Sequence, residues 1–212
     1  MRITKLQHAA LRLDEDGSTL LIDPGSFTAP LDDLASVAAV VITHEHADHW
    51  TPEHLDAIRS AAPDVPVFAP EGVARAAGDD RITVVSPGDT VTAGPFTLRF
   101  FGGRHEVIHS SLPVVDNVGV LVNDVLYYPG DSYAVPQDVD IPLLAAPLGA
   151  PWLRIGDAID FVLAIRPRRA FGTHDMTLSD PGRAMHRGHL QRVMAEYGGE
   201  LLMLDPGDAV EA

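Results

Sequence analysis

The sequence predicts an α/β fold, on the evidence of its length, its apolar content and its alternation of strand and helix patterns. It has 212 residues, of which 46% are hydrophobic, enough for one domain of ordinary size with a sizeable core. Short apolar strand patterns alternate with helical ones along the whole chain, which indicates layers of sheet covered by helices. No short-period repeat or low-complexity linker interrupts this order, so we expect a single domain over residues 1–212.

The first third of the chain predicts short strands joined by turns. Apolar segments at Ala9–Leu13 and Thr19–Ile22 flank an acidic loop, which is typical of a hairpin. The continuous apolar run Val37–Ile42, rich in β-branched residues, predicts a strand that is buried on both faces. Thr51, followed by a proline, predicts the N-cap of a helix that runs to about Ala61.

The same alternation continues to the end of the chain. Further strands are predicted over Val65–Ala69, Phe96–Phe101, Val118–Val122, Val125–Tyr128, Ile141–Ala146, Arg169–Gly172 and Glu200–Leu204. Further helices are predicted over Glu71–Ala77, Ile155–Ile165 and Arg183–Tyr197. Because ligands tend to bind at the ends of strands in α/β folds, the residues that follow these strands are the first candidates for function.

Charge and composition argue against several classes of function. The chain has 30 acidic and 15 basic residues, a net charge of −15, and such a surface repels nucleic acids and anionic membranes. The absence of cysteine excludes disulfides, thiolate metal sites and cysteine nucleophiles. No apolar leader or membrane span is evident. We therefore expect a cytoplasmic protein with a small-molecule substrate, without nucleic-acid or membrane partners, and with homo-oligomer formation left open.

Three histidines and an aspartate follow the buried strand Val37–Ile42. His44, His46, Asp48 and His49 carry imidazole and carboxylate groups, which suit zinc, iron or manganese. Residues two apart in an extended segment point the same way, so His44 and His46 can bind one ion. A turn into the next helix would bring Asp48 and His49 toward a second ion. The spacing therefore predicts a two-metal site with ions about 3.5–4 Å apart.

The pattern His-x-His-x-Asp-His after a buried strand resembles the hallmark of the metallo-β-lactamase superfamily, and the resemblance extends over nearly the whole chain. The sequence looks most similar to the small single-domain hydrolases that include the ascorbate-6-phosphate lactonase-like proteins. This resemblance implies a four-layer αβ/βα sandwich, with two sheets back to back, helices outside and the metals at one edge of the sheets. It also implies that His44 and His46 bind the first metal, while Asp48 and His49 bind the second.

The resemblance implies three further ligands. A histidine after a mid-chain strand completes the first metal, and we choose His105, with His109 four residues later as the alternative. Asp131, in a Gly-Asp pair after a strand, would bridge both metals. His174, after a late strand, would complete the second metal.

Five neighbouring residues have a supporting or packing interpretation. Asp23 either orients a metal-binding histidine or caps its own turn. Asp175 is a weaker candidate for the same orienting role. Trp152 and Tyr133 either line the substrate pocket or pack beneath it, and packing is slightly favoured for Trp152. His8 is expected to be a hydrogen-bonded histidine under the site.

This ligand set predicts hydrolysis by a metal-bound hydroxide. Two divalent ions, zinc in the first place and manganese or iron as alternatives, would lower the pKa of water and polarise the substrate oxygen. Asp131 would bridge the ions, and Asp48 would help hold them or accept a proton. The expected substrate is a small ester, lactone or phosphodiester-type metabolite. The alternatives are a metal-binding protein of this fold without hydrolytic turnover, and an iron-dependent redox protein that would need a flavin partner.

Overall fold

The computed structural model describes residues 1–212 as two mixed 7-stranded sheets flanked by helices. The first sheet contains β1 (Arg2–Lys5), β2 (Leu11–Glu15), β3 (Ser18–Ile22), β4 (Val37–Val41), β5 (Val67–Ala69), β6 (Ile82–Val84) and β14 (Ala209–Glu211). The second contains β7 (Thr90–Ala93), β8 (Phe96–Gly102), β9 (Val118–Val122), β10 (Leu126–Tyr128), β11 (Leu143–Pro147), β12 (Arg169–Thr173) and β13 (Glu200–Leu202). The helices are α1 (Pro52–Ala61), α2 (Glu71–Ala77), α3 (Ile155–Ile165) and α4 (Asp180–Glu196).

Each sheet combines an antiparallel half with a parallel half. The first has the order β14-β1-β2-β3-β4-β5-β6, with parallel pairing from β3 to β6. The second has the order β13-β12-β11-β10-β9-β8-β7, with parallel pairing from β13 to β10. Parallel neighbours end at the same edge of a sheet, so the loops after β4, β10 and β12 are free to meet there.

Three apolar clusters separate the four layers. The central one contains 21 buried residues from the facing sides of both sheets. The other two join the second sheet to α3 and α4, and the first sheet to α1 and α2. The strand β4 shows how this works, because Val41 faces the central cluster while Val40 faces the helices. The predicted αβ/βα sandwich is therefore confirmed, and β4 is buried on both faces as its sequence indicates.

Most predicted elements are present, and the differences have local causes. The predicted strand over Ala9–Leu13 begins only at Leu11, because a turn at His8, with φ of 57°, precedes it. The last long helix begins at Asp180, not at Arg183, because the Ser179 side chain accepts a hydrogen bond from the backbone near its start. The strands β1, β6, β7 and β14 were not predicted, since each is only three or four residues long. None of the helices combines the length and apolar character needed to cross a membrane.

The central cluster gives a direct test of the packing. Phe100 is fully buried between the sheets, so Phe100→Ala should lower the free energy of unfolding by about 3–5 kcal/mol through lost contacts and a new cavity. Val84, an apolar residue that is 43% exposed, provides the control. Val84→Ala should change the free energy of unfolding by less than about 0.5 kcal/mol. Urea unfolding measures both, and equal losses in the two variants would contradict this layer assignment.

Candidate metal centre

Four loops meet at one edge of the sandwich and bring the predicted ligands together. They follow β4, β8, β10 and β12, and they carry His44, His46, Asp48, His49, His105, Asp131 and His174. Their ligand atoms form compact groups, each lying within 4.8 Å, made of His44, His46 and His105, of His44, His49 and Asp131, and of His8, Asp48 and His174. The structure thus assembles all seven predicted residues, while their individual metal assignments stay a prediction.

The buried carboxylate of Asp131 lies between the two halves of this centre. Its Oδ2 atom is 3.3 Å from Nε2 of His105 and 3.2 Å from Nε2 of His174. Its Oδ1 atom is 3.3 Å from Nε2 of His49. One carboxylate therefore reaches histidines predicted for both metals, which is the placement that a bridging ligand requires.

The position of Asp131 is fixed through its backbone, by a glycine turn and by a hydrogen bond to Asn117. Gly130, just before it, has φ of 61°, and a Cβ there would come within 2.5 Å of Oδ1 of Asn117. That same amide oxygen accepts a hydrogen bond from Asp131 N at 3.0 Å, while the Asn117 Nδ2 group donates to Pro129 O at 2.9 Å. Only glycine fits this turn without displacing the amide. Asn117 was not identified from sequence, because a lone asparagine before a strand is indistinguishable from an ordinary turn residue.

Three histidine rings have their orientation fixed by hydrogen bonds from Nδ1, the ring nitrogen that faces away from the centre. His49 donates Nδ1–H to Asp23 Oδ2 at 2.6 Å, and His105 and His174 donate theirs to backbone carbonyl oxygens at 2.5 and 2.6 Å. Since these acceptors carry no proton, the Nδ1 atoms bear the hydrogen and the Nε2 atoms face the centre.

These Nε2 atoms and Oδ1 of Asp131 are buried without a hydrogen-bond partner. Unpaired buried polar atoms are costly, and four that converge need an electrophilic partner. Imidazole nitrogens and a carboxylate oxygen are the donors that zinc and similar divalent ions prefer. The residues therefore fit a metal centre.

Asp23 confirms the orienting interpretation. Its fully buried carboxylate accepts hydrogen bonds from Thr43 N and Oγ1, at 2.7 and 2.6 Å, in addition to the one from His49. Tyr128 donates a fourth, at 3.0 Å. The backbone at Asp23 has φ of 48°, a conformation that aspartate tolerates better than most residues. The carboxylate thus positions a candidate ligand, His49, and does not merely close a turn.

The third histidine had two candidates in the sequence, and the structure separates them. His105 is 4% exposed and faces Asp131. His109 is exposed, and its Nδ1 atom lies 2.7 Å from the hydroxyl of its neighbour Ser111. The geometry favours His105.

His8 lies beneath the centre and has a defined tautomer. Its Nδ1 atom accepts a hydrogen bond from Met176 N at 3.3 Å, so the proton of the neutral ring is on Nε2. That proton is directed at Oδ2 of Asp48, 3.2 Å away. The ring also packs against His174, with centroids 4.0 Å apart. His8 is therefore a hydrogen-bonded support for Asp48, in line with its expected role under the site.

Trp152 and Tyr133 form one wall of the centre. The Trp152 indole is 8% exposed and donates Nε1–H to Oδ2 of Asp131 at 2.8 Å, with its ring centroid 5.9 Å from that of His105. It therefore both packs and contacts the candidate ligands. Tyr133 packs on Trp152 and on Phe161, at 5.2 and 5.5 Å between centroids, which is the packing interpretation.

The suggested orienting role of Asp175 is wrong. Its buried carboxylate pairs with Lys5 at 3.3 Å and with Arg187 at 3.5 Å, and His174 is oriented by the carbonyl oxygen of Gly149 instead. The Lys5 side chain is 0% exposed, and a buried ammonium needs an anionic partner. Asp175 therefore serves the packing below the centre.

Opposing charges shift the pKa values of the central groups. Burial disfavours the charged form of Asp131, but the cationic forms of His174 and His49 outweigh this and hold its pKa well below the usual range. For His49, burial lowers the pKa, yet the carboxylates of Asp131 and Asp23 prevail and raise it to about 9. Burial, followed by the charge of His49, keeps the pKa of His44 well below its usual value.

The raised pKa of His49 predicts how metal affinity depends on pH. Metal-depleted protein carries a proton on His49 at neutral pH, and this proton must leave before Nε2 can bind a cation. Zinc affinity should therefore rise between pH 7 and 9, measured by competition with a chelator of known affinity. The His49 contribution to the stability of metal-depleted protein is complete below about pH 6.5. It should be lost as the pH rises through about 9, visible in the urea midpoint. A pH-independent affinity would contradict this.

Comparison with known proteins agrees with this architecture. Residues 2–174 match the family described as the beta-lactamase superfamily domain. Protein Rv0786c of Mycobacterium tuberculosis is 32% identical over 195 residues, covering 90% of this chain and 91% of that protein. A UPF0173 metal-dependent hydrolase of Deinococcus radiodurans is 28% identical, with 100% and 99% of the two chains covered.

Solved structures show the same fold. The metallo hydrolase Igni18 of Ignicoccus hospitalis superposes with a TM-score of 0.75 at 18% identity, over 99% of this chain and 97% of that one. The metallo-beta-lactamase fold protein YhfI of Bacillus subtilis gives a TM-score of 0.74 at 16% identity, over 100% and 99%. With the family match over most of its length and this shared sandwich, the chain belongs to the metallo-β-lactamase superfamily.

Proposed function

We propose that the protein is a binuclear metal-dependent hydrolase of a small ester, lactone or phosphodiester-type metabolite. The main observation is the set of buried, unpartnered ligand atoms on His49, His105, His174 and Asp131. The name of the Deinococcus relative, a metal-dependent hydrolase, supports the reaction class. Assignment to the ascorbate-6-phosphate lactonase-like branch stays a prediction.

The proposed division between two ions follows the family resemblance, and the compact group of His44, His46 and His105 supports its first half. The first would be held by His44, His46 and His105, and the second by Asp48, His49 and His174, with Asp131 shared. Zinc suits this imidazole and carboxylate set, and manganese and iron are the alternatives. Two such cations would lower the pKa of water and polarise the carbonyl or phosphoryl oxygen that is attacked.

The two acids have different surroundings and therefore different roles. The side chain of Asp131 is 4% exposed and accepts a hydrogen bond from the Trp152 indole, while its backbone N–H donates to Asn117, so it serves as a fixed, dry ligand. The side chain of Asp48 is 27% exposed, so it would meet solvent while it helps to hold the second ion. Burial raises its pKa, but the neighbouring His174 and His8 outweigh this and hold it well below the usual range, which favours a role as ligand over one as proton acceptor.

Metal analysis coupled to a substrate panel tests the proposal. We expect two ions per chain and hydrolysis within a panel of esters, lactones and phosphodiesters assayed with added zinc, manganese or iron. Asp131→Ala should lose metal and activity together, because the shared ligand is removed. Two bound ions without hydrolysis of any panel member would instead favour a metal-binding protein without turnover.

The third histidine provides a matched pair of variants. His105→Ala should weaken metal binding by at least about tenfold, since even changes behind metal ligands cost 10- to 100-fold. His109→Ala removes an exposed histidine from the same loop and should leave metal content unchanged. Metal retained after dialysis, measured by mass spectrometry, distinguishes them. The reverse result would move the ligand to His109.

A further inference from the structure

Half of the large hydrophobic side chains with substantial exposure lie on loops that carry the candidate ligands or the supporting residue Asp23. Among the large hydrophobic residues with substantial exposure, Phe27, Val107, Leu112 and Met176 are 44, 57, 49 and 47% exposed. Val107 and Leu112 follow His105 on its loop. Soluble proteins seldom concentrate exposed apolar groups without a binding function.

Two of these residues contact His8, Phe27 through its ring and Met176 through its backbone, and we call their pair of exposed side chains the apolar ledge. The Phe27 ring meets the His8 ring edge-on, with centroids 4.8 Å apart. Met176 donates its backbone N–H to the same imidazole. Because His8 in turn contacts Asp48 and His174, the apolar ledge lies beside the predicted second-metal half of the centre.

Apart from the two cations proposed to bind there, the surroundings of the centre offer little positive charge to an anion. The segments that carry the candidate ligands and their supporting residues Asp23, Asn117 and Trp152 (23–33, 43–51, 103–117, 129–140, 148–154 and 174–179) have only two cationic side chains besides histidine, Arg104 and Arg154. Lys5 and Arg187, which lie below the centre, pair with Asp175. Arg154 is committed to Asp157, at 2.8 Å. The remaining charged residues of these segments are all Asp or Glu, in a chain of net charge −15. A substrate that carries a phosphate would approach an acidic surface with one free arginine to meet it.

Resting on the hydrolase function proposed above, we infer that the substrate is an uncharged ester or lactone with a hydrocarbon arm that lies on the apolar ledge. Hydrolysis adds water across the acyl–oxygen bond: the water oxygen bonds to the acyl carbon and the alkoxy oxygen leaves with a proton. The products are a carboxylic acid and an alcohol, and no further reactant is needed. The ledge contributes binding energy away from the bond that breaks.

Chain length is the measurable consequence. Each methylene that moves from water to an apolar surface favours binding, by at most about fourfold when fully buried. The catalytic efficiency of zinc-loaded protein should therefore rise from p-nitrophenyl acetate to the octanoate, by at least about tenfold in total. Bis(p-nitrophenyl) phosphate should be the poorest substrate. The Asp131→Ala variant supplies the background rate for every compound.

Matched variants locate the effect. Met176→Ala and Phe27→Ala should reduce the octanoate-to-acetate ratio of efficiencies toward one. The ratio is informative because any disturbance of the metal centre through His8 lowers both rates together. Met185→Ala, which removes a methionine that is 59% exposed on α4, should leave the ratio as in the unmodified chain.

Binding without turnover provides an independent readout. Octanamide is uncharged and has the same arm, and it can be titrated into protein labelled with ¹³C at the methionine methyl groups. The Met176 methyl resonance should shift, while those of Met185 and Met203, which are also exposed, should not. Phe27→Ala should weaken the Met176 response.

The outcomes separate this inference from the hydrolase proposal. Ester hydrolysis with no dependence on chain length, or a preference for the phosphodiester, would overturn the inference and leave the hydrolase standing. Absence of all hydrolysis would count against the hydrolase, and the octanamide titration would then decide whether the ledge binds a hydrocarbon arm. An unchanged Met176 resonance would overturn the inference that the ledge binds a hydrocarbon arm.

Discussion

The buried carboxylate of Asp23 is the interaction on which the rest of the centre depends. It ends β3 of the first sheet and accepts four hydrogen bonds, two from Thr43, one from His49 and one from Tyr128. Tyr128 belongs to the second sheet, so one carboxylate connects both sheets at the edge where the ligand loops meet. An ionised group with no access to solvent is stable only when its oxygens are satisfied in this way. The packing of the two sheets and the orientation of the candidate ligand His49 consequently depend on the same carboxylate.

Backbone conformation shows where the fold accepts strain for this purpose. His8, Asp23 and His174 all have positive φ values, of 57, 48 and 53°, and all three belong to the centre or support it. Such conformations are sparsely populated and persist only when the surroundings enforce them. Here the enforcing contact is direct, because His174 N donates to His8 O at 2.8 Å. The turns at His8 and His174 are thus held by one another.

The centre is closed to water around Asp131 and partly open to solvent at Asp48, and this asymmetry supports the proposed chemistry. Asp131, under the indole of Trp152, is excluded from water, so water screens its attraction for a cation only weakly. Asp48 is the partly exposed acid, supported from below by His8. The apolar ledge adjoins His8, the residue that supports Asp48. A buried charge at Asp131 and an apolar surface near the centre suit an uncharged substrate. Its reacting bond would reach the metals while its hydrocarbon arm lies on the apolar ledge.

The sequence by itself determined the alternation of strands and helices, the two-faced burial of β4 and the histidine cluster after it, because periodicity and spacing are local properties. The more distant candidates Asp131 and His174 came from the family resemblance. The sequence left His105 and His109 open, since both follow the same strand and only the course of the loop places one beside Asp131. It assigned Asp175 the wrong partner, because Lys5, 170 positions away, is invisible to local pattern. Partners far apart in the chain, and the side of each loop that faces solvent, were decided only when the two sheets packed together.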